Sequence, residues 1–368
     1  MFDIQPIVPD AEVSGRPVII AGPCSAESRQ QVLDTASALS RCGIKIFRAG
    51  LWKPRTHPGE FEGVGSQGLE WLKTVKERFG MLTATEVANK EHVEAALAAG
   101  VDIVWIGART VTNPFAVQEI ADSLTQTRRD VAVLVKNPVN PDLELWVGAL
   151  QRLYNAGVRR LGAVHRGFSV YGQHLYRNEP IWRIPLELAR LYPNLPLLCD
   201  PSHIAGDAQL IDSLAQQACH MDFDGLMIET HLRPSEALSD SRQQVTPDEL
   251  KHIISHLNVG KPGNITENIE LLRQEIDRDD HKLIETLAHR MNLSRQIAAL
   301  KKDIAMPVVQ TDRYDEIVKD RTSAASKLGL DTQFIRHIMA TIHEESVRQQ
   351  LLIYKSQFDN KSSDDTLP

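Results

Sequence analysis

The chain has 368 residues, 42% of them hydrophobic and 24% charged, with a formal net charge of -7. This is the composition of a soluble globular protein with room for one large domain and a smaller one, which argues against disordered and membrane-spanning classes. The negative balance argues against a dedicated nucleic-acid binder, so any anion site must be a local concentration of Lys and Arg.

Cys24, Cys42, Cys199 and Cys219 are few and scattered, as expected of a reducing cytosol rather than a disulfide framework. The start has neither a basic n-region nor an apolar run behind it, so no signal peptide is expected. No stretch approaches the roughly 20 apolar residues of a membrane span. A cytoplasmic protein with no membrane or nucleic-acid partner is the expectation.

From Pro17 to about His231, short β-branched runs alternate with longer amphipathic segments. The candidate strands are Pro17 to Ala21, Ile44 to Arg48, Met81 to Thr85, Asp102 to Gly107, Val131 to Lys136, Arg160 to Val164, Leu195 to Cys199 and Gly225 to Glu229. Stretches such as Arg29 to Cys42 and Lys90 to Ala99 read as helices, and Gly43, Gly100 and Gly157 stand where a C-cap favours a left-handed residue. Eight β-then-α units with continuously apolar strands predict an α/β chain folded as a (β/α)8 TIM barrel. A doubly wound open sheet is the competitor, and no GxGxxG follows the first strand to support a dinucleotide-binding version.

The reactive residues gather at strand ends. Cys24 follows the first strand, and Lys53-Pro54-Arg55-Thr56 follows the second, which itself carries Arg48. Arg109 closes the fourth, Lys136 ends the fifth and Arg166 follows the sixth. Asp200-Pro201-Ser202-His203 follows the seventh, and Glu229 ends the eighth. In a barrel these ends open on one face, where active sites of this architecture sit. Cations crowded there in an acidic chain imply an anionic ligand, a phosphate or carboxylate, that Arg and Lys can grip. Cys24, His203 and Glu229, with Asp240 as a fourth, form a donor set suited to a divalent first-row ion, Mn, Fe, Co or Zn. No organic cofactor is expected.

Gly22-Pro23-Cys24-Ser25, Lys53-Pro54-Arg55-Thr56, Gly107-Ala108-Arg109-Thr110, Asp200-Pro201-Ser202-His203 and Ala237-Leu238-Ser239-Asp240, in that order, resemble the type I DAHP synthases. The resemblance covers roughly residues 17 to 250. It implies metal-dependent condensation of phosphoenolpyruvate with erythrose 4-phosphate to 3-deoxy-D-arabino-heptulosonate 7-phosphate, the entry to the shikimate route. It also implies that Cys24, His203, Glu229 and Asp240 are the metal ligands. Arg48, Lys53, Arg109, Lys136 and Arg166 would hold phosphoenolpyruvate, and Arg55 and Thr56 would hold erythrose 4-phosphate. Lys53 or a metal-bound water would donate the proton. The runner-up is the related KDO-phosphate synthase family, which usually shows an Asn-containing version of the Lys53-Pro54-Arg55-Thr56 loop.

After the barrel, Asn258-Val259-Gly260-Lys261-Pro262-Gly263-Asn264 reads as a linker. Thr266 to Met306 contains neither Gly nor Pro, and Asn264 with Glu267 has the capping-box spacing. Such a helix would be about 60 Å long. Pro307 ends it, and helices over about Asp312 to Lys327 and Thr332 to Gln357 follow, separated by Gly329. Ile269, Leu272, Ile276, Leu283 and Leu287 fall near one stripe that two shorter helices cannot cover, so a homodimer is expected. Arg290 and Lys301 share a face near this stripe, while Arg273 is rotated from both by roughly 80–100° and suits a site on a partner chain.

This last third resembles the all-helical chorismate mutases over roughly residues 266 to 355. The resemblance implies an interlocked dimer of three-helix chains that rearranges chorismate to prephenate. Its site would hold Arg290, Lys301, Arg313, Ser346 and Gln350, with Arg273 crossing from the partner. Gln310 and Tyr314 depart from the Asp and Glu often found there. A domain that only binds an effector is therefore the alternative, with prephenate or chorismate as feedback signal to the barrel. The expected division is a barrel over 1–257, a linker over 258–265, a mutase domain over 266–358 and a disordered tail over 359–368.

Overall fold

Eight parallel strands close into a barrel in chain order: β1 (Val18–Gly22), β2 (Ile46–Arg48), β3 (Leu82–Val87), β4 (Ile103–Ile106), β5 (Ala132–Lys136), β6 (Leu161–His165), β7 (Leu197–Cys199) and β8 (Gly225–Glu229). The computed structural model describes residues 2–8, 17–54, 59–127, 130–172, 174–258 and 267–355. Closure runs through β1 and β8, paired from Val18↔Gly225 to Gly22↔Glu229. The observed strands lie within two residues of the expected ones at either end, and β8 coincides with its expectation. The doubly wound alternative is excluded, because the strands follow chain order around a closed barrel that has no edge strands.

Side chains alternate across a strand, and this periodicity builds two cores. One cluster takes Ile20, Ile46, Ala84, Ile103, Trp105, Ala132, Leu134, Val164, Leu198 and Met227 from the eight strands and no helix, so it fills the barrel interior; Ile7 and Val8 join it. The other places Phe47, Val104, Val133, Ala163, Cys199 and Ile228 against the surrounding helices. Two residues beyond the interior apolar layer, the same inward register reaches Arg48, Glu86, Lys136, Arg166, Asp200 and Glu229. The alternation therefore sets a charged layer on top of an apolar plug.

His165 takes the opposite register and is fully buried among Trp146, Phe168, Trp182 and Phe223. Burial pushes its imidazole down to about 3, which keeps it neutral. The helices begin where short polar side chains satisfy free amides: Ser28, Asn89 and Asp142 accept from Gln31, His92 and Leu145.

The chain divides into two compact units, Met1–Pro262 and Gly263–Pro368. The second is built from helices Glu267–Asp303, Thr311–Lys327 and Thr332–Lys355. The long helix leaves Leu272, Ile276, Leu283 and Ile284 about 60% exposed in the single chain. The expected tail and all of the expected linker but Asn258, including Asn264 of the expected capping pair, lie outside the described residues, as do Arg55 and Thr56.

Candidate active sites

At the C-terminal ends of the strands, Lys53, Glu86, Arg109, Lys136, Arg166 and Arg177 line a cavity of about 260 Å³, together with His203 and Asp240. Two glycines permit the close approach beneath it. A Cβ on Gly22, whose φ is +148°, would sit 2.0 Å from the Arg48 carbonyl oxygen. One on Gly50 would meet Lys53 Cε at 2.7 Å and the Cys24 carbonyl oxygen at 2.8 Å.

The cations are held by the charged layer itself. Lys136 Nζ donates to Asp200 Oδ2 at 2.7 Å, and Arg48 Nη2 donates to Glu229 Oε1 at 3.1 Å. Both cations lie over the Trp105 ring, with Arg48 4.8 Å and Lys136 5.9 Å from its centroid. The Trp105 indole donates to Glu86 Oε2 at 3.2 Å. Arg48 is fully buried, yet among the described residues its Nε and Nη1 have no hydrogen-bond partner. A buried donor of that kind is costly unless a ligand completes it.

Burial lowers Arg166 to about 10; Asp200 opposes this, while Arg177 and Arg109 add to it. Burial also lowers Lys136, with Asp200 opposing. Asp200 moves the other way: burial would raise it, but His203, Lys136 and Arg48 outweigh burial and hold it well below the usual carboxylate range. The pocket holds an excess of positive charge, and an anion entering it relieves the repulsion.

On the side of the cavity next to β1 and β8, Cys24 Sγ donates to Asp240 Oδ2 at 3.2 Å and accepts from Lys53 Nζ at 3.1 Å. Ligand atoms of Cys24, Glu229 and Asp240 all lie within 4.8 Å of one another. His203 Nε2 is 3.8 Å from Glu229 Oε1, beside that trio. Burial and Glu229 push the Cys24 thiol up to about 12, so it remains protonated in the protein alone. A divalent cation would reverse this, since it binds thiolate and carboxylate together. One thiol and two acidic oxygens with an imidazole at hand fit such an ion. Asp240 reaches the trio from left-handed backbone, φ 47° and ψ 40°, a conformation Asp tolerates better than most residues.

Sequence reasoning assigned no role to Glu86, Arg177, Asp200 or Gln243. Arg177 Nη1 donates to Asp240 Oδ1 at 2.9 Å and to Gln243 Oε1 at 2.6 Å, and Gln243 Nε2 donates to Glu229 Oε2 at 2.7 Å. The inward register of β3 and β7 would have found Glu86 and Asp200. No periodicity runs through the loops that carry Arg177 and Gln243.

In the helical unit, Arg290 Nη1 donates to Ser346 Oγ at 2.5 Å, and Gln350 Nε2 donates to Ser294 Oγ at 3.1 Å. Ser346 and Gln350 are buried, and among the described residues Gln350 Oε1 has no partner. Lys301 Nζ donates to the Val308 carbonyl oxygen at 2.8 Å. Burial lowers the His343 imidazole, and the positive charges of Arg290 and Lys301 add to the drop. Tyr314, standing where a Glu is often found, packs its ring 4.2 Å from that of His343.

Arg313 pairs with Glu316 on its own helix. Arg273 is 57% exposed and 3.9 Å from Glu270. Seventeen residues of helix, about 25 Å along the axis, separate Arg273 from Arg290.

Residues 12–260 match the family model described as "DAHP synthetase I family", and residues 272–351 match "Chorismate mutase type II". The chain is 32% identical over 239 residues to a phospho-2-dehydro-3-deoxyheptonate aldolase from Thermotoga maritima, covering 65% of this chain and 68% of that one. A 2-dehydro-3-deoxyphosphooctonate aldolase from Helicobacter pylori is 29% identical over 271 residues, 66% of this chain and 94% of its own. A crystal structure of the Thermotoga maritima heptonate aldolase superposes with a TM-score of 0.58 at 28% identity, covering 65% of this chain and 67% of that one. A truncated form of the Thermotoga maritima synthase superposes with a TM-score of 0.56, covering 84% of its chain.

Proposed function

This chain belongs to the DAHP synthetase I family and carries a chorismate mutase type II unit behind its barrel; from that premise we propose the substrates and roles of its two sites. The protein is a bifunctional enzyme, a transferase of the aldolase type joined to an isomerase. Its barrel condenses phosphoenolpyruvate with erythrose 4-phosphate. The observation that carries this reading is the set of five cationic side chains, Lys53, Arg109, Lys136, Arg166 and Arg177, lining one cavity in a chain of net charge -7.

Those cations, with Arg48 beneath, hold the phosphate and carboxylate of phosphoenolpyruvate; Arg55 and Thr56 hold the second sugar phosphate. Gripping two anions that repel in water supplies orientation and charge stabilisation together. C3 of phosphoenolpyruvate attacks the aldehyde carbon, water adds at C2, and phosphate leaves. Burial would lower Lys53, but Cys24, Glu86 and Glu229 outweigh it and hold the ammonium above its ordinary value, so Nζ carries a proton for the aldehyde oxygen. Cys24, Glu229 and Asp240 with His203 hold a divalent metal, which when bound polarises that aldehyde.

The helical unit rearranges chorismate to prephenate. Arg290, Arg313 and the partner's Arg273 grip two carboxylates, Lys301 stabilises the breaking ether oxygen, and Ser346 and Gln350 position the substrate. The exposed apolar stripe of the long helix supports a homodimer through this unit. Prephenate or chorismate bound there regulates the barrel, and both sites work in the cytoplasm. The Tyr314–His343 contact, in place of an acidic residue, favours one second reading, an effector-binding unit without turnover.

The test is phosphate release from phosphoenolpyruvate with erythrose 4-phosphate or arabinose 5-phosphate, with and without prephenate, and chorismate consumption by the same protein. Turnover with the five-carbon sugar alone would support the octulosonate alternative. Intact chorismate would leave only the effector role.

A further inference from the structure

The carboxylates of Asp240 and Glu229 each have one oxygen turned toward Cys24 or Arg48 and one turned away. Asp240 Oδ2 faces Cys24 Sγ at 3.2 Å, and Glu229 Oε1 faces Arg48 Nη2 at 3.1 Å. Asp240 Oδ1 accepts from Arg177 Nη1, while Glu229 Oε2 accepts from Gln243 Nε2. The two holders are joined to each other, because Arg177 Nη1 also donates to Gln243 Oε1 at 2.6 Å. With the amide oxygen accepting from a guanidinium and the amide nitrogen donating to a carboxylate, the orientation of Gln243 is fixed.

We infer that Arg177 and Gln243 act as one positioning clamp, holding the outer oxygens of Asp240 and Glu229 so that the inner oxygens converge with Cys24 on a divalent cation. The inference rests on the metal reading proposed above and adds to it two residues that do not touch the ion. Gln243 is 1% exposed and uncharged, so its place in the chain of bonds is orientational. Arg177 is half exposed and, with Asp240 and Gln243, also lines a second cavity of about 710 Å³. The clamp therefore forms part of the wall between the substrate pocket and that outer cavity. Hydrogen-bond partners of metal-binding carboxylates typically change affinity by about 10–100-fold when removed.

The role of the clamp is separable from that of a counter-ion. As a counter-ion alone, Arg177 would compete with the metal for Asp240, and Gln243 would contribute nothing. As a clamp, loss of the neutral Gln243 weakens the site. Mn2+ uptake, read from the electron paramagnetic resonance signal of the free ion, should weaken by about 10–100-fold in Gln243→Met, which matches the side chain in length. Arg177→Lys keeps the charge and loses the planar fork, and its affinity should fall as well. If Gln243→Met loses its cooperative melt, Mn2+ affinity in Arg177→Lys decides between clamp and counter-ion.

Cys24→Ala is the control for the premise. If it binds Mn2+ as the wild type does, the metal reading itself fails. If it loses Mn2+ while folded Gln243→Met and Arg177→Lys keep wild-type affinity, only the clamp is overturned.

Discussion

Asp200→Asn probes whether the buried cations at the barrel mouth depend on this carboxylate for charge balance. Asp200 Oδ2 accepts from Lys136 at 2.7 Å and lies 2.8 Å from His203 Nδ1, while Oδ1 caps the His203 amide at 3.0 Å. Asparagine keeps the capping oxygen and the volume, but it removes the charge and turns an NH2 donor toward Lys136 Nζ. Breaking one member of a buried pair costs about 3–5 kcal/mol, and the retained cap favours the lower end. At about 2–4 °C per kcal/mol for a unit of this size, the melting midpoint should fall by roughly 6–12 °C.

Trp52, Trp71, Trp105, Trp146 and Trp182 all lie in the barrel unit, and the chain has five tryptophans in total, so a fluorescence melt reads that unit alone. The pH dependence has a definite sign. Burial holds Lys136 below its ordinary 10.5 and Asp200 opposes the drop, so losing Asp200 lowers it further. A lysine depressed by folding costs stability while charged, and the cost fades as pH rises through its folded value toward its unfolded one. The deficit should therefore be largest near neutrality and narrow toward about pH 10. A midpoint within about 2 °C of wild type at neutral pH, or a deficit that does not narrow in alkali, would refute the reasoning.

Two further outcomes follow from other contacts. Gly107→Ala places a Cβ 2.1 Å from Glu86 Oε1, forcing that carboxylate off the Trp105 indole. It should cost about 1–3 kcal/mol in the same fluorescence melt and raise the KM for phosphoenolpyruvate, whereas an unchanged melt would mean that Glu86 swings aside freely. In the helical unit, Arg273→Ala and Arg290→Ala should each abolish chorismate turnover. Mixed and allowed to exchange, they should regain about a quarter of wild-type activity, since half the dimers then hold one intact site of two. No recovery would argue against supply of Arg273 across the dimer.

The sequence exposed the barrel because eight apolar runs recurred with helical segments between them, and all but the third ended in or just before a residue with chemistry to offer. Arg48, Lys136 and Glu229 were visible as charges at the ends of apolar strands, and Cys24, Lys53 and Arg166 as charged or nucleophilic residues just beyond them. The acidic partners were harder to see. Asp200 and Glu86 sit in the same inward register but look, in a linear reading, like a helix cap and an ordinary strand-end acid. Arg177 and Gln243 come from loops whose paths are set by tertiary packing, so their meeting with Asp240 and Glu229 has no local signal. In the last third, the helical period placed Arg290 and Lys301 on one face. The packing of His343 on Tyr314 depends on how three helices nest, which periodicity alone does not fix.

The opposed registers of His165 and Arg166 have a consequence for how this barrel can change in length. Adjacent on β6 and its exit, one faces an aromatic cage outside the barrel and the other lines the substrate cavity. A single deletion within β6 would set the guanidinium among Trp146, Trp182 and Phe223, and a single insertion would set the imidazole in the pocket, the faces of the two residues being exchanged either way. The same exchange would follow in β2, where Phe47 and Arg48 alternate. Insertions and deletions in this chain should therefore be confined to its loops and helix ends, with the strands keeping their residue count while their identities drift.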